Sequence, residues 1–160
     1  MWIVSTLMCA VLIGLDQWTK HLAVLYLSDG SVAKAVPGVF DFLYVENRGA
    51  AFGMLQDTRW FLVAITVALI AALVVFVLKN KSKSWLLFGA VALIVAGGIG
   101  NLIDRVWHGY VVDFIHLLFM DFPCFNVADM CVCIGAVLLA IYILISGDTK
   151  RSEEKDVGNL

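Results

Sequence analysis

The sequence predicts an all-α membrane protein: four transmembrane helices with a small extracytoplasmic β-sheet or loop region over their outer ends. Three observations predict it. Of the 160 residues, 62% are hydrophobic and only 15% charged, with a mean hydropathy of +0.94, whereas a soluble domain is nearer half apolar because it must cover itself with polar surface. The charges leave apolar stretches at 1–15, 60–78, 85–103 and 130–147, each about long enough to cross a hydrocarbon core of roughly 30 Å at about 1.5 Å per residue. The two outer connections between the stretches carry strand-forming runs and are not simple polar linkers.

Taken in order, the first stretch continues through 17–26, broken only by Lys20 and His21. It lacks a basic n-region and runs into Asp16 and Lys20 without a small-residue cleavage site, so a retained helix is expected in place of a cleaved signal peptide. Residues 39–47 (VFDFLYVEN) are β-branched and aromatic, with Gly30, Pro37 and Gly38 before them and Gly49 after. They predict a strand lying at the membrane surface. The second and third helices are joined by the basic linker KNKSK at 79–83, and YVVDFI at 110–115 offers a second short strand before the fourth helix. One compact membrane domain is expected over 1–147. Residues 148–160 (DTKRSEEKDVGNL after Gly147) predict a polar, disordered cytoplasmic tail.

Orientation follows from lysine and arginine. The 79–83 linker and the tail residues Lys150, Arg151 and Lys155 hold six of the eleven basic residues; the 27–59 loop has three and 106–126 has none. The positive-inside rule therefore puts the linker, the tail and, with four spans, the N-terminus in the cytoplasm. Trp2, Trp60, Trp85 and Trp107 fall at predicted helix ends, as an interfacial aromatic belt requires. No basic patch suggests nucleic acid, and no Gly-rich loop leads from a strand into a helix as nucleotide binding needs.

On this topology the polar residues of the helices gather at one depth. Asp16 and Lys20 lie in the outer half of helix 1, Asn101, Asp104 and Arg105 at the outer end of helix 3, and Asn126 and Asp129 at the outer start of helix 4. Cysteines apart, the cytoplasmic halves hold no ionisable side chain. Such groups are costly within a membrane and mark function. A small transporter or proton carrier would also use intramembrane acids, but needs polar groups across the whole thickness; here they stop halfway, which favours a site at the outer interface.

Each group also has a plainer explanation. Asp16 and Lys20, four apart, form a structural ion pair that snorkels outward, or support the site. Gly97, Asn101 and Arg105 form one helical stripe beside Gly100 and Asp104, where the glycines suit helix packing but the polar trio suits hydrogen bonding to a peptide. Asn126 and Asp129 match a capping box. Asp113 is a lone carboxylate in an apolar strand. Because the chain leaves helix 3, runs through that strand and returns into helix 4, Asp113 and Asp129 can meet, and two carboxylates in contact share one proton. That is an acid–base pair of the kind that hydrolyses peptide bonds. Cys9, Cys124, Cys131 and Cys133 lack C-x-x-C spacing, two or three of them lie in the bilayer, and they read as inert buried thiols; His21, His108 and His116 lack a zinc-protease spacing.

Five segments are similar to those of lipoprotein signal peptidase, or signal peptidase II: DQWTK at 16–20, NRGAAFG at 47–53, GGIGNLIDR at 97–105, VVDFI at 111–115 and FNVAD at 125–129. They stand in the family's order and span most of the chain. The resemblance implies a bacterial aspartic endopeptidase of the cytoplasmic (inner) membrane with its active site near the outer face. It would cut the signal peptide from diacylglyceryl-modified prolipoproteins just before the lipidated cysteine. Carried over by motif, Asp113 and Asp129 are the catalytic pair; Asn47, Asn101, Arg105 and Asn126 line the site; Asp16 and Asp104 support it, and Lys20 pairs with Asp16. The family needs no metal or organic cofactor. Its partners are the lipidated substrates and membrane lipid, and globomycin-type cyclic peptides are expected in the same cleft.

Overall fold

The computed structural model describes residues 1–49, 58–80 and 84–157, backbone alone from 147 onward. The elements run α1 (Trp2–Leu27), β1 (Ala33–Val36), β2 (Phe40–Asn47), α2 (Arg59–Lys79), α3 (Trp85–Trp107), β3 (Val111–Leu117) and α4 (Val127–Val157). Among the described residues four helices are long and apolar enough to cross a membrane: α1, α2, α3 and the Val127–Ser146 part of α4. Runs such as VVFV at 74–77 have poor intrinsic helix propensity. They are helical here because a helix satisfies every backbone polar group within its own segment, which a bilayer demands.

The packing is that of a protein solvated by lipid. Only Leu62 and Val77 of α2 are buried, while Phe61, Ile65, Leu69, Val74 and Leu78 are exposed apolar residues. Helix α3 is the axis of the bundle and packs against all three other helices. Its small residues permit close approach: a Cβ on Gly97 would collide with the Ala128 carbonyl of α4, and one on Gly100 would meet the Asp16 carboxylate of α1. At one end of the bundle Val77, Leu87, Phe88, Val91 and Tyr142 form an apolar core.

The other end carries a three-stranded antiparallel sheet in the order β1-β2-β3. It sits on the end of α1 through a cluster of Ala23, Leu27, Val112 and Phe114, flanked by Phe42, Tyr44, Tyr110, Ile115 and Val127. β2 falls within the expected 39–47 run, and β3 reaches two residues beyond the expected 110–115. β1 was not anticipated. Its signal was the Pro37–Gly38 dipeptide: Val39 N–H donates to Val36 O (3.0 Å) and Gly38 has φ +74, a turn with proline and a left-handed glycine at its centre that folds β1 back on β2.

One further difference concerns the end of α4. The α4 backbone stays helical to Val157, past the apolar stretch and into the segment for which composition suggested disorder. The Lys, Arg and Glu residues at 150–155 are good helix formers and can extend a helix already nucleated by the span. Residues 50–53 of the NRGAAFG run, 81–83 of the basic linker and 158–160 of the tail lie outside the described residues.

Candidate functional site

At the sheet end of the bundle six polar or charged residues are buried: Asp16, Lys20, Asn101, Asp104, Asp113 and Asn126. α1 contributes the ionic centre. Lys20 Nζ lies 2.9 Å from Asp16 Oδ2 and 3.0 Å from Asp104 Oδ2, and donates to Asn101 Oδ1 at 2.9 Å. Lys20 is only 3% exposed, so it does not snorkel; the two carboxylates and the amide compensate its burial.

The same acids hold the backbone of neighbouring elements. Asp16 Oδ1 accepts the N–H of Ala128 in the first turn of α4 (2.9 Å), where an acid suits the free donors and dipole of a helix start. Asp104 Oδ2 accepts Val112 N–H (3.1 Å), fastening the start of β3. Gln17 was missed from the sequence. Its Nε2 donates to Asp104 Oδ1 (3.0 Å) and to Gly100 O (3.1 Å), tying α1 to α3. The available signal was its polar character inside the DQWTK run, next to Asp16.

Around this centre three asparagine side chains share one arrangement. Each has its Oδ1 taken by a donor, which directs its Nδ2 to a carboxylate. Gly49 N–H donates to Asn47 Oδ1 (3.0 Å), and Asn47 Nδ2 donates to Asp113 Oδ2 (2.9 Å). Lys20 donates to Asn101 Oδ1, and Asn101 Nδ2 donates to Asp129 Oδ1 (2.7 Å). Asp129 N–H donates to Asn126 Oδ1 (2.9 Å), and Asn126 Nδ2 donates to Asp113 Oδ1 (2.6 Å).

Asn126 both caps α4 and reaches Asp113. Asn126 N–H donates in return to Asp129 Oδ2 (3.1 Å), completing a reciprocal capping box at the start of α4. The opposite end of the same amide holds Asp113, so a single side chain connects the two acids.

Asp113 is 1% exposed. Burial, and then the charge of Asp129, push its carboxyl up to about 7, against the opposing hydrogen bonds from Asn47 and Asn126. Two carboxylates with a proton available near neutrality can act as acid and base in one step.

Both acids line a cleft of about 560 Å³ between α2 and α4, floored by α3. Its polar end is formed by Asn47, Asn101, Arg105, Asp113 and Asp129, and its other end is apolar, with Leu69, Leu73, Ile94 and Val132 among its lining. Arg105 donates to Gly49 O at 3.1 Å. Cys124 and Cys133 also border the cleft; Cys131 is buried, Cys9 and Cys124 are half-buried and Cys133 is exposed, so the reading as buried thiols holds for Cys131 alone. A second groove of about 370 Å³ between α1, α2 and α3 is almost wholly apolar and is lined by no carboxylate, histidine or lysine. Among the described residues no cluster of three or more His, Cys, Asp or Glu could hold a metal ion.

Fold and site together define a polytopic membrane protein with a paired-carboxylate centre at the mouth of an amphipathic cleft. A family profile described as signal peptidase (SPase) II matches residues 8–145. The chain belongs to the signal peptidase II family, proteases that remove signal peptides from lipoproteins. A lipoprotein signal peptidase of Streptococcus thermophilus is 50% identical over 132 residues, covering 82% of this chain and 86% of the relative. One of Enterococcus faecalis is 39% identical over 153 residues, 95% and 93% of the respective chains. A bacterial membrane enzyme structure obtained by the in meso method at 2.3 Å resolution matches with a TM-score of 0.84 and 34% identity, covering 92% of this chain and 91% of the other. A second, at 1.9 Å resolution, gives 0.81 and 35%, with 88% and 92% covered.

Proposed function

We propose that Asp113 and Asp129 are the catalytic pair of this protease and that its substrates are diacylglyceryl-modified prolipoproteins, cut just before the lipidated cysteine. The observation that carries this reading is that both carboxylates line one cleft mouth, with Asn126 donating to the Asp113 carboxylate through its side-chain amide and to the Asp129 carboxylate through its backbone N–H. Water between the two carboxyl groups loses a proton to the ionised one as it attacks the scissile carbonyl. The other gives its proton to the carbonyl oxygen, and the departing amine is protonated in turn. Arg105, Asn47 and Asn101 line the cleft, where the guanidinium suits the carbonyls of an extended peptide. Asn126, expected among the lining residues, is instead fully buried and acts on the acids.

The two ends of the cleft match the two ends of such a substrate. An acylated precursor with an apolar signal helix reaches the enzyme from the lipid, and the apolar walls from α2 and α4 suit that route. Globomycin-type cyclic peptides are expected to occupy the same cleft and to compete with substrate. Purified protein is expected to hydrolyse a lipidated precursor and to spare the unlipidated peptide. Equal turnover of the two would remove the lipid from the recognition.

The pH dependence follows from Asp113. In the productive state the pair holds one proton, and Asp113 releases it as pH rises through about 7. The kcat/KM, which reports the free enzyme, is therefore expected to fall by about tenfold per pH unit above that point. It falls again on the acid side, where both carboxyls are protonated. A profile flat from about pH 6 to pH 9 would exclude Asp113 as the proton donor.

The Lys/Arg asymmetry supports a cytoplasmic (inner) membrane orientation with both termini inside and the sheet end outside. In a background lacking Cys9, Cys124, Cys131 and Cys133, single cysteines in the 79–84 linker are expected to react only from the cytoplasm. Those at 30–38 are expected to react from outside. The reverse labelling pattern overturns the orientation.

A further inference from the structure

The geometry points to Lys20 as a positioning residue of the dyad: through Asn101 it keeps Asp129 the proton-free, water-activating carboxylate and leaves the shared proton on Asp113. This rests on the dyad reading above, with its proton on Asp113, and names the residues that impose that assignment.

The two carboxylates are held differently. Asp129 accepts from Asn101 Nδ2 at 2.7 Å and from the Asn126 backbone at 3.1 Å, and unlike Asp113 it stands in the first turn of a helix, α4, where the helix dipole favours negative charge. The Asn101 amide is itself biased. Its Oδ1 accepts the Lys20 ammonium at 2.9 Å and Asn126 Nδ2 at 3.2 Å. A cation on the carbonyl side draws electron density from the amide and strengthens its N–H as a donor. It also forbids the flipped amide, which would point an NH₂ group at an ammonium.

Asp113 has no such chain behind it. Its donors are Asn47 Nδ2 and Asn126 Nδ2; their carbonyls are held by the backbone N–H groups of Gly49 and Asp129, which are neutral. It sits in a strand with apolar neighbours, Val111, Val112 and Phe114, all buried, and burial favours its protonated form.

The other charged or titratable groups facing the pair do not reverse this asymmetry. From α1 come Asp16 and Lys20, from α3 Asp104 and Arg105, and from the segment before α4 Cys124. Asp16 and Asp104 are engaged by Lys20, by Gln17 and by the backbone donors Ala128 and Val112. Arg105 donates to the carbonyls of Gly49 and Asn101, not to either acid.

Two variants test the relay in purified protein with a diacylated precursor peptide. Lys20→Met combined with Asp104→Asn removes the ammonium while conserving the net charge of the buried trio. Asn101→Ser removes the amide and leaves the ionic trio intact. Both are expected to lower kcat by about 100-fold. Both should also move the acid limb of the kcat/KM profile up by about one pH unit, since a charge-assisted donor to the ionised carboxylate is lost. A purely structural role for Lys20 would lower the amount of folded enzyme and leave the limb where it was. If the double variant fails to fold, Asn101→Ser decides alone, and an unmoved acid limb in it overturns the proposal. Asp129→Asn separates the two levels. Retained cleavage in that variant sinks the dyad itself, whereas its loss beside an unmoved limb sinks only the relay.

Discussion

Asp113→Asn and Asp129→Asn are each expected to abolish cleavage, a fall of more than about 10³-fold, while the protein remains folded and inserted in the membrane. The first half of the expectation follows from chemistry: an amide can neither take a proton from water nor give one to the leaving amine. The second follows from shape. Asn is isosteric with Asp, and at position 113 one of the two incoming donors, Asn47 Nδ2 or Asn126 Nδ2, still finds an oxygen. The other faces an NH₂ group, which costs about 1–3 kcal/mol.

A gain opposes that cost. The Asp113 carboxyl is pushed up to about 7 in the folded protein, against about 3.9 in an unfolded chain. The folded state thus holds the proton more tightly, and stability is lost as pH rises from the lower value through the higher one. At pH 8 the wild type bears that penalty in full and the Asn variant does not bear it at all. Melting temperatures of the two proteins at pH 8 should lie within a few degrees of each other. Turnover near the wild-type rate by either folded variant would sink the catalytic assignment.

Asn126→Ser is expected to separate the two roles found in one side chain. The capping role uses Oδ1, which accepts Asp129 N–H, and a serine hydroxyl caps a helix about as well as asparagine. The site role uses Nδ2, which donates to Asp113 and lies near Val112 O and Asn101 Oδ1. Serine has no second group to reach them. Cleavage should therefore fall by about 10²-fold, while the melting temperature stays closer to wild type than that of Asn126→Ala. The alanine variant loses the cap as well, at a further cost of about 1 kcal/mol. Asn126 is fully buried, so both variants carry the same kind of packing defect and the comparison isolates the cap. Full activity in the serine variant would leave Asn126 as a helix cap alone.

The fold was legible in the sequence to the extent that it depends on solvent. A bilayer admits one kind of single-segment structure, so an apolar run of sufficient length is a helix whatever its local propensity; even VVFV at 74–77 complied. Strands β2 and β3 were legible from β-branched and aromatic runs. β1, the four residues AKAV, was not, because it is too short to show a pattern and is exposed throughout. Only the Pro37–Gly38 turn marked it.

The candidate site was legible as a set of residues and a common depth, because an ionisable group inside a membrane is costly enough to stand out in one dimension. The order of helices and strands was enough to bring Asp113 and Asp129 to one mouth. Which atom faces which was beyond the sequence. Helical spacing offered Lys20 one partner, Asp16, and an outward route to water; the packing of α1 on α3 supplied Asp104 and Asn101 as well and closed that route. Spacing offered Asn126 a choice between cap and site, and the return of β3 alongside α4 gave it both. An amide has a donor end and an acceptor end, and its orientation is set by whichever neighbours occupy each. Those neighbours come from segments more than eighty residues apart for Lys20 and Asn101, so only the tertiary structure could decide them.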